Sequence, residues 1–181
     1  MFDIQRFIDD CKAAVAADDS HKAVREVVAR AVSNPGELVR ALGEPKGAGL
    51  ETLYHSDSLT ILNFAWAPLM TLMPHNHNMW ALIGIYAGRE DNIFWRRRGR
   101  TVEATGAKNL GTGDVGALGR DVIHSVTNPT EKMTCALHVY GGDFFAPGRS
   151  EWDPESLEER PFDVEHARRI FAAANARYLA A

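Results

Sequence analysis

Two histidines stand two residues apart in Pro74-His75-Asn76-His77-Asn78-Met79-Trp80, just before an alternating apolar run of Met79, Ala81, Ile83 and Ile85. Side chains at i and i+2 of a β-strand share one face, so this spacing lets His75 and His77 aim two imidazoles at a single point. Imidazole is the commonest protein ligand for zinc, iron, copper and nickel, and two converging rings make half a metal site. An isolated His-x-His also arises by chance on surface strands, so the other half has to be found elsewhere. His124 lies in the segment Asp121–Asn128, sharing a strand face with Val122 and Val126. His138 lies in Cys135–Tyr140, sharing a face with Thr134, Ala136 and Tyr140. Taken singly, each reads as a hydrogen-bonded core histidine. Jointly they say more, because four of the chain's seven histidines fall on strands beside apolar neighbours, where an imidazolium would be costly to bury. Metal coordination or hydrogen bonding would satisfy such rings.

The elements that must position these side chains follow from the hydrophobic periods. Ile4, Phe7, Ile8, Cys11, Ala14 and Val15 predict an amphipathic helix over residues 2–16, and Val24, Val27, Val28 and Ala31 predict a second over about 21–32. Ser33-Asn34-Pro35-Gly36-Glu37 then reads as a fresh start, with Asn34 as N-cap, Pro35 as first helical residue and Glu37 as reciprocal capping partner. That third helix carries Leu38, Val39 and Leu42 and stops at Gly43. From Leu50 the period shortens. Strands are expected at Leu59–Trp66, Leu69–Met73, Met79–Tyr86, Ile93–Arg98, Thr101–Ala104, Val115–Leu118, Val122–Thr127 and Met133–Tyr140. Turns are expected at Ala67-Pro68, Ala87-Gly88, Gly106, Gly111-Thr112-Gly113 and Asn128-Pro129. Many short strands at this spacing indicate an all-β sandwich or barrel. After Gly141-Gly142 comes a loop rich in proline, glycine and charge, and then a helix from about Asp163. The layout is one domain over 1–181: helices in 1–45, a barrel in 50–142, and a loop with a closing helix in 143–181.

At 181 residues, with 45% hydrophobic and 24% charged residues and a net charge of −4, the composition is that of an ordinary globular protein. It argues against a nucleic-acid binder, which would present a basic face. Arg96-Arg97-Arg98 is too short a run to change that and reads as a solvated edge. Cys11 and Cys135 have no Cys-x-x-Cys spacing, so neither a disulfide framework nor a thiolate zinc site is expected, and a reducing cytoplasm fits best. No signal-peptide pattern and no apolar run long enough for a membrane span is present. Cys11 and His21 read as structural or solvated.

Gly113…His124-x-x-x-Asn128, downstream of His75-x-His77 and Gly88, resembles the two-part metal signature of the cupins, which are double-stranded β-helix (jelly-roll) barrels. The usual cupin has a glutamate four to five residues after its second histidine. Those positions here are Ala81 and Leu82, leaving three neutral histidines. With His138-x-Tyr140 on a late strand, the pattern resembles the cysteine dioxygenase-like thiol dioxygenases. The likeness runs through the Ser33-Asn34-Pro35 break, Tyr54, the strand ending at Trp66, Pro74-His75-Asn76-His77 and Leu137-His138-Val139-Tyr140, covering about residues 20–142.

This resemblance implies a mainly β cupin barrel with N-terminal helices and one C-terminal helix, and an Fe(II) ion held by His75, His77 and His124. Nickel, zinc or copper would also suit three histidines, and no organic cofactor is implied. Tyr140 and His138 would be catalytic, with His138 orienting the tyrosine hydroxyl toward oxygen. The implied reaction consumes O2 and turns a small-molecule thiol into a sulfinate, in a monomer or homodimer. Three departures matter. Ala136 stands where a serine usually precedes the His-x-Tyr pair, which shortens the relay. Ala81 and Leu82 cannot form the Cys-Tyr thioether of the animal enzymes. Ser56 replaces the arginine that reads the substrate carboxylate, so a substrate other than cysteine itself is expected. Arg89 or one of Arg96, Arg97 and Arg98 is a possible relocated clamp, although surface roles fit them better. Trp66, Trp80 and Tyr86 are candidate pocket walls, Trp152 a candidate cap, and Asn128 a turn residue before Pro129. An enolate-cleaving dioxygenase for β-dicarbonyls and a non-catalytic metal-containing binding module are the alternatives.

Overall fold

The computed structural model describes residues 1–18 and 20–180. Three helices open the chain: α1 (Ile4–Ala17), α2 (His21–Val32) and α3 (Pro35–Leu42). Asp3 caps α1 by accepting from the Arg6 amide at 3.0 Å, and Ser20 caps α2 by accepting from Lys22. The capping box expected at α3 does not form. Asn34 makes no side-chain cap bond, while the Glu37 carboxylate pairs with the N-terminal ammonium at 3.1 Å. Pro35 starts α3 by its fixed φ alone, and Gly43 stops it at φ 80°.

Among the described residues eleven strands follow: β1 (Gly49–His55), β2 (Thr60–Trp66), β3 (Thr71–Asn76), β4 (Ala81–Ala87), β5 (Arg89–Arg98), β6 (Thr101–Gly111), β7 (Val115–Leu118), β8 (Ile123–Thr127), β9 (Thr134–Tyr140), β10 (Ser150–Trp152) and β11 (Glu159–Pro161). Helix α4 (Val164–Leu179) follows, starting where expected and capped by Asp163. The strands form two antiparallel sheets, ordered β1-β2-β9-β4-β7 and β11-β10-β3-β8-β5-β6. Strands β2 to β9 divide four to each sheet, with the first of the eight beside the last in one and the second beside the seventh in the other. That nesting is a jelly roll, the topology of a double-stranded β-helix.

Strand β9 is buried along its whole length because both its faces are covered. Ala136 and Tyr140 point into the barrel with Leu62, Phe64, Trp66, Ile83 and Ile85. Cys135, Leu137 and Val139 point outward against Val24, Val28, Val32 and Leu38 of the helices. Cys11 is buried in that outer cluster, in keeping with a structural role.

The structure departs from the sequence expectations at several strands. β1 pairs with β2 at the sheet edge, where its mixed exposure hides any alternation. β3 runs past Met73 through Pro74 and His75. The missing proline amide is accommodated where the β3–β8 register shifts, between Leu72 and His75. Gly106 lies inside β6, where the β5–β6 register shifts, and not in a turn. The segment 143–161 is not simply loop, because β10 and β11 extend the second sheet and Glu151 pairs in register with His75. Among the described residues no helix is long and apolar enough to cross a membrane.

Candidate metal centre

Antiparallel pairing of β3 with β8 sets His75 directly opposite His124, and His77 follows one residue beyond the end of β3. Asn78, at φ 59°, turns the chain away immediately afterwards. The three histidines are buried, and each offers one ring nitrogen within 4.8 Å of the others. Two of the rings are oriented from behind. His75 Nδ1 donates to the Met73 carbonyl at 2.9 Å, and His124 Nδ1 donates to Asn92 Oδ1 at 2.7 Å. With Nδ1 protonated in both, each Nε2 keeps a lone pair directed at the shared point. His77 Nε2 lies 3.0 Å from His124 Nε2, so either one proton or one cation can bridge these two nitrogens.

Burial is the main reason that all three imidazoles resist protonation. It lowers His75 to about 4, with the positive charge of Arg149 adding to the effect. Burial holds His77 and His124 well below the usual histidine value, and the neighbouring rings push the same way. At neutral pH the trio is therefore an uncharged, all-nitrogen donor set, which suits a divalent transition metal. No carboxylate belongs to it, in line with the residues at Ala81 and Leu82.

His138 and Tyr140 stand next to this group on the inner face of β9. The Tyr140 hydroxyl and His138 Nδ1 are 2.9 Å apart, and burial raises the tyrosine pKa, so the phenol keeps its proton. Behind His138 lies a residue that sequence reasoning missed. Glu90 is fully buried, and its Oε2 sits 3.6 Å from His138 Nε2, with neither atom hydrogen-bonded. Glu90 Oε1 accepts from Asn92 Nδ2 at 3.0 Å, and Asn92 Oδ1 holds His124. Tyr140, His138, Glu90, Asn92 and His124 thus form one polar chain from the phenol back to a metal-ligating ring. Where Ala136 shortens the relay, Glu90 approaches it from β5.

The three histidines, His138 and Tyr140 line a cavity of about 940 Å³. Trp66 lines it as expected. Trp80 and Tyr86 do not, because they pack toward the helices, and the Trp80 indole fills the space beside Gly141. Trp152 is buried with Val102 and Ile123 and does not cap the mouth. Ser56 closes the β1–β2 turn, its amide bonded to the Leu59 carbonyl at 2.9 Å. Asn128 organises its turn, donating to the carbonyls of Trp66, Ala67 and Lys132. None of the proposed clamps reaches the cavity: Arg89 pairs with Asp91, Arg96 and Arg98 with Glu103, and Arg97 with Glu159.

Arg149 is the arginine that does reach it. The side chain is 9% exposed, and its guanidinium carbon sits 4.4 Å from the Phe144 ring centroid and 4.3 Å from that of Phe162. No described carboxylate pairs with it, and its buried Nη1 has no hydrogen-bond partner. A charge so placed is costly unless an anion joins it. The segment 143–160 carries no motif that signals this arginine, and its Pro-Gly-Arg-Ser spelling reads as an ordinary loop.

No protein-family model matches the sequence. Among solved structures the chain is similar to an RmlC-like cupin family protein with a double-stranded β-helix fold from Methanocaldococcus jannaschii. That match has 14% identity and a TM-score of 0.48, and covers 56% of this chain and 86% of the other. A variant of Bacillus subtilis oxalate decarboxylase matches at 19% identity and a TM-score of 0.45, over 57% of this chain and 27% of its own. The strand order and the histidine geometry together describe a double-stranded β-helix barrel holding a group of three histidines placed to bind a metal ion.

Proposed function

We propose that this protein is a mononuclear non-haem iron dioxygenase that oxidises a thiol to a sulfinate, acting in the cytoplasm on a small-molecule substrate. The observation that carries the reading is the convergence of three buried, uncharged imidazoles beside a tyrosine hydroxyl tethered to a histidine. A ferrous ion in that donor set would keep its full charge and open positions, and so activate O2 beside an anionic substrate. The balance is one thiol plus one O2 giving one sulfinic acid, both oxygen atoms going to sulfur.

The chain's own residues would divide the remaining work. Met73 and Asn92 fix the ring orientations of His75 and His124 before any ligand arrives. Tyr140 holds a proton at its hydroxyl oxygen, within reach of the cavity, and His138 Nδ1 orients that hydroxyl. Glu90 Oε2 faces His138 Nε2 at 3.6 Å, on the side away from the tyrosine. Arg149 anchors an anionic substituent of the substrate, the part that Ser56 cannot play. The apolar lining keeps the site dry and makes cysteine a poor fit.

Anaerobic loading with ferrous iron, followed by O2-uptake measurements on aliphatic and aryl thiols, tests the proposal. A sulfinate with an unbroken carbon skeleton is the expected product. Absence of uptake with every thiol at full iron occupancy would overturn the thiol assignment. The apolar cavity favours one second reading, cleavage of a β-dicarbonyl bound as its enolate, which product mass distinguishes because the carbon chain is then cut.

A further inference from the structure

The histidine group occupies one end of a cavity far larger than its chemistry requires. At about 940 Å³ it lies near the top of the roughly 300–1,000 Å³ range of pockets that enclose drug-sized ligands. One wall is a continuous aromatic surface. The Phe64 ring lies 4.4 Å from His138 and stacks on Trp66 at 5.1 Å, and Trp66 meets Phe171 of α4 at 5.5 Å. The adjoining wall is the Phe144–Arg149–Phe162 sandwich, with Phe144 4.5 Å from Tyr140 and 6.4 Å from Phe64. At the mouth stand Leu50, Phe145 and Val164, which are 45%, 49% and 50% exposed. Exposed apolar residues scattered singly need no explanation, but three gathered at the entrance of an apolar cavity do.

We infer that this chamber binds a bulky apolar group of aryl size, carried by an anionic substrate whose charged end rests on Arg149. Charge complementarity selects the anion, because a buried guanidinium without a counter-ion gains more from a carboxylate than from a neutral group. The aromatic wall selects the body, since flat rings stack favourably on Phe64, Trp66 and Phe171. Helix α4 then sets the size limit, because Ala167 and Ala172 line the chamber where larger side chains would fill it. The inference rests on the proposed function only for the atom that reacts; the binding surface is independent of it.

Carboxylates without sulfur separate binding from oxidation. Calorimetric titration of the iron-loaded protein under anaerobic conditions with propanoate, hexanoate and 3-phenylpropanoate is the experiment. The phenyl compound should bind on the order of 30-fold more tightly than propanoate, the factor expected from burying a ring's apolar surface. Ala167→Trp should erase that advantage and leave propanoate binding unchanged. Ala172→Trp, at an exposed position of the mouth, serves if the first variant does not fold. Equal affinities across the series, or an advantage that survives in the folded variants, would overturn the inference. Tight phenylpropanoate binding without oxidation of any thiol would overturn the thiol-oxidation reading alone. Oxidation of small thiols with a flat binding series would overturn the chamber alone.

Discussion

Replacing Arg149 by Met should make the metal-free protein more stable while weakening its hold on carboxylates. The guanidinium is 9% exposed and lacks both a carboxylate and a bond to Nη1. Burying a charge in that state costs several kcal/mol. Its two ring contacts, at 4.4 and 4.3 Å, return about 1–2 kcal/mol each. Methionine keeps an unbranched stem between the same rings and recovers about 0.3–1.5 kcal/mol as a sulfur–aromatic contact. The net expectation is a gain of roughly 1–2 kcal/mol for R149M in urea unfolding of the metal-free protein. The same change removes a charge-assisted bond worth about 1.5–3 kcal/mol, so a bound carboxylate should weaken about 10- to 100-fold. The corresponding neutral alcohol should be unaffected. Arg149 is also one of the charges that hold His75 and His77 in their neutral forms. Without it their pKa values rise, so the pH midpoint of metal loading should move upward. A variant destabilised by more than about 2 kcal/mol, with unchanged carboxylate affinity, would refute this reasoning and make Arg149 a packing residue.

Glu90→Gln keeps the bond to Asn92 but removes the charge facing His138. It should lower kcat about 10-fold with KM unchanged, and it should be non-additive with Tyr140→Phe; additive losses would place the two in separate roles. His75→Ala should leave the barrel folded but abolish the rise in melting temperature on adding iron, read by thermal unfolding with metal analysis. Acid should destabilise the metal-free protein. The folded pKa of His75 is about 4, below the ordinary 6.5, so the unfolded chain binds more protons between those values. Stability is then complete above pH 6.5 and falls by about 3 kcal/mol from His75 alone as the pH drops to 4, which unfolding midpoints across the window would show or refute. Gly84→Ala should cost about 1–3 kcal/mol by overpacking, because a Cβ there would lie 2.6 Å from Val28 Cγ1 and 2.9 Å from Val32 Cγ1. Val28→Ala in the same chain should restore part of the loss.

Most of the barrel was legible because its strands alternate. The inward set of β9, Thr134, Ala136, His138 and Tyr140, is the one that its period of two selects, and the helices covering its other face account for the apolar Cys135, Leu137 and Val139. The misreadings have local causes. A glycine in a bulge is spelled like a glycine in a turn, so Gly106 cut β6 short. β10 and β11 are three residues each, too short for any period, and they exist because Glu151 reaches β3 and pairs with Arg160. Their stability comes from partners more than seventy residues away in the case of His75, which no window on the sequence contains.

The site divides in the same way. His75, His77 and His124 could be found because metal ligands need particular side chains at particular strand positions. Glu90 lay within a stretch, Gly88-Arg89-Glu90-Asp91-Asn92, that reads as a charged turn. Yet Arg89 and Asp91 pair with each other at the surface while Glu90 and Asn92 are buried, so the alternation was there to be read had β5 been started four residues earlier. Arg149 is a different case. Arg96, Arg97 and Arg98 drew attention as a cluster, and each finds a carboxylate across a strand or loop. What marks Arg149 as a ligand-binding residue is a buried charge left without a partner, and that is a property of every neighbour at once. Residue identity and spacing can locate a set of ligands that must converge. They cannot locate a missing counter-charge, because only the assembled fold establishes which acidic groups stay out of reach.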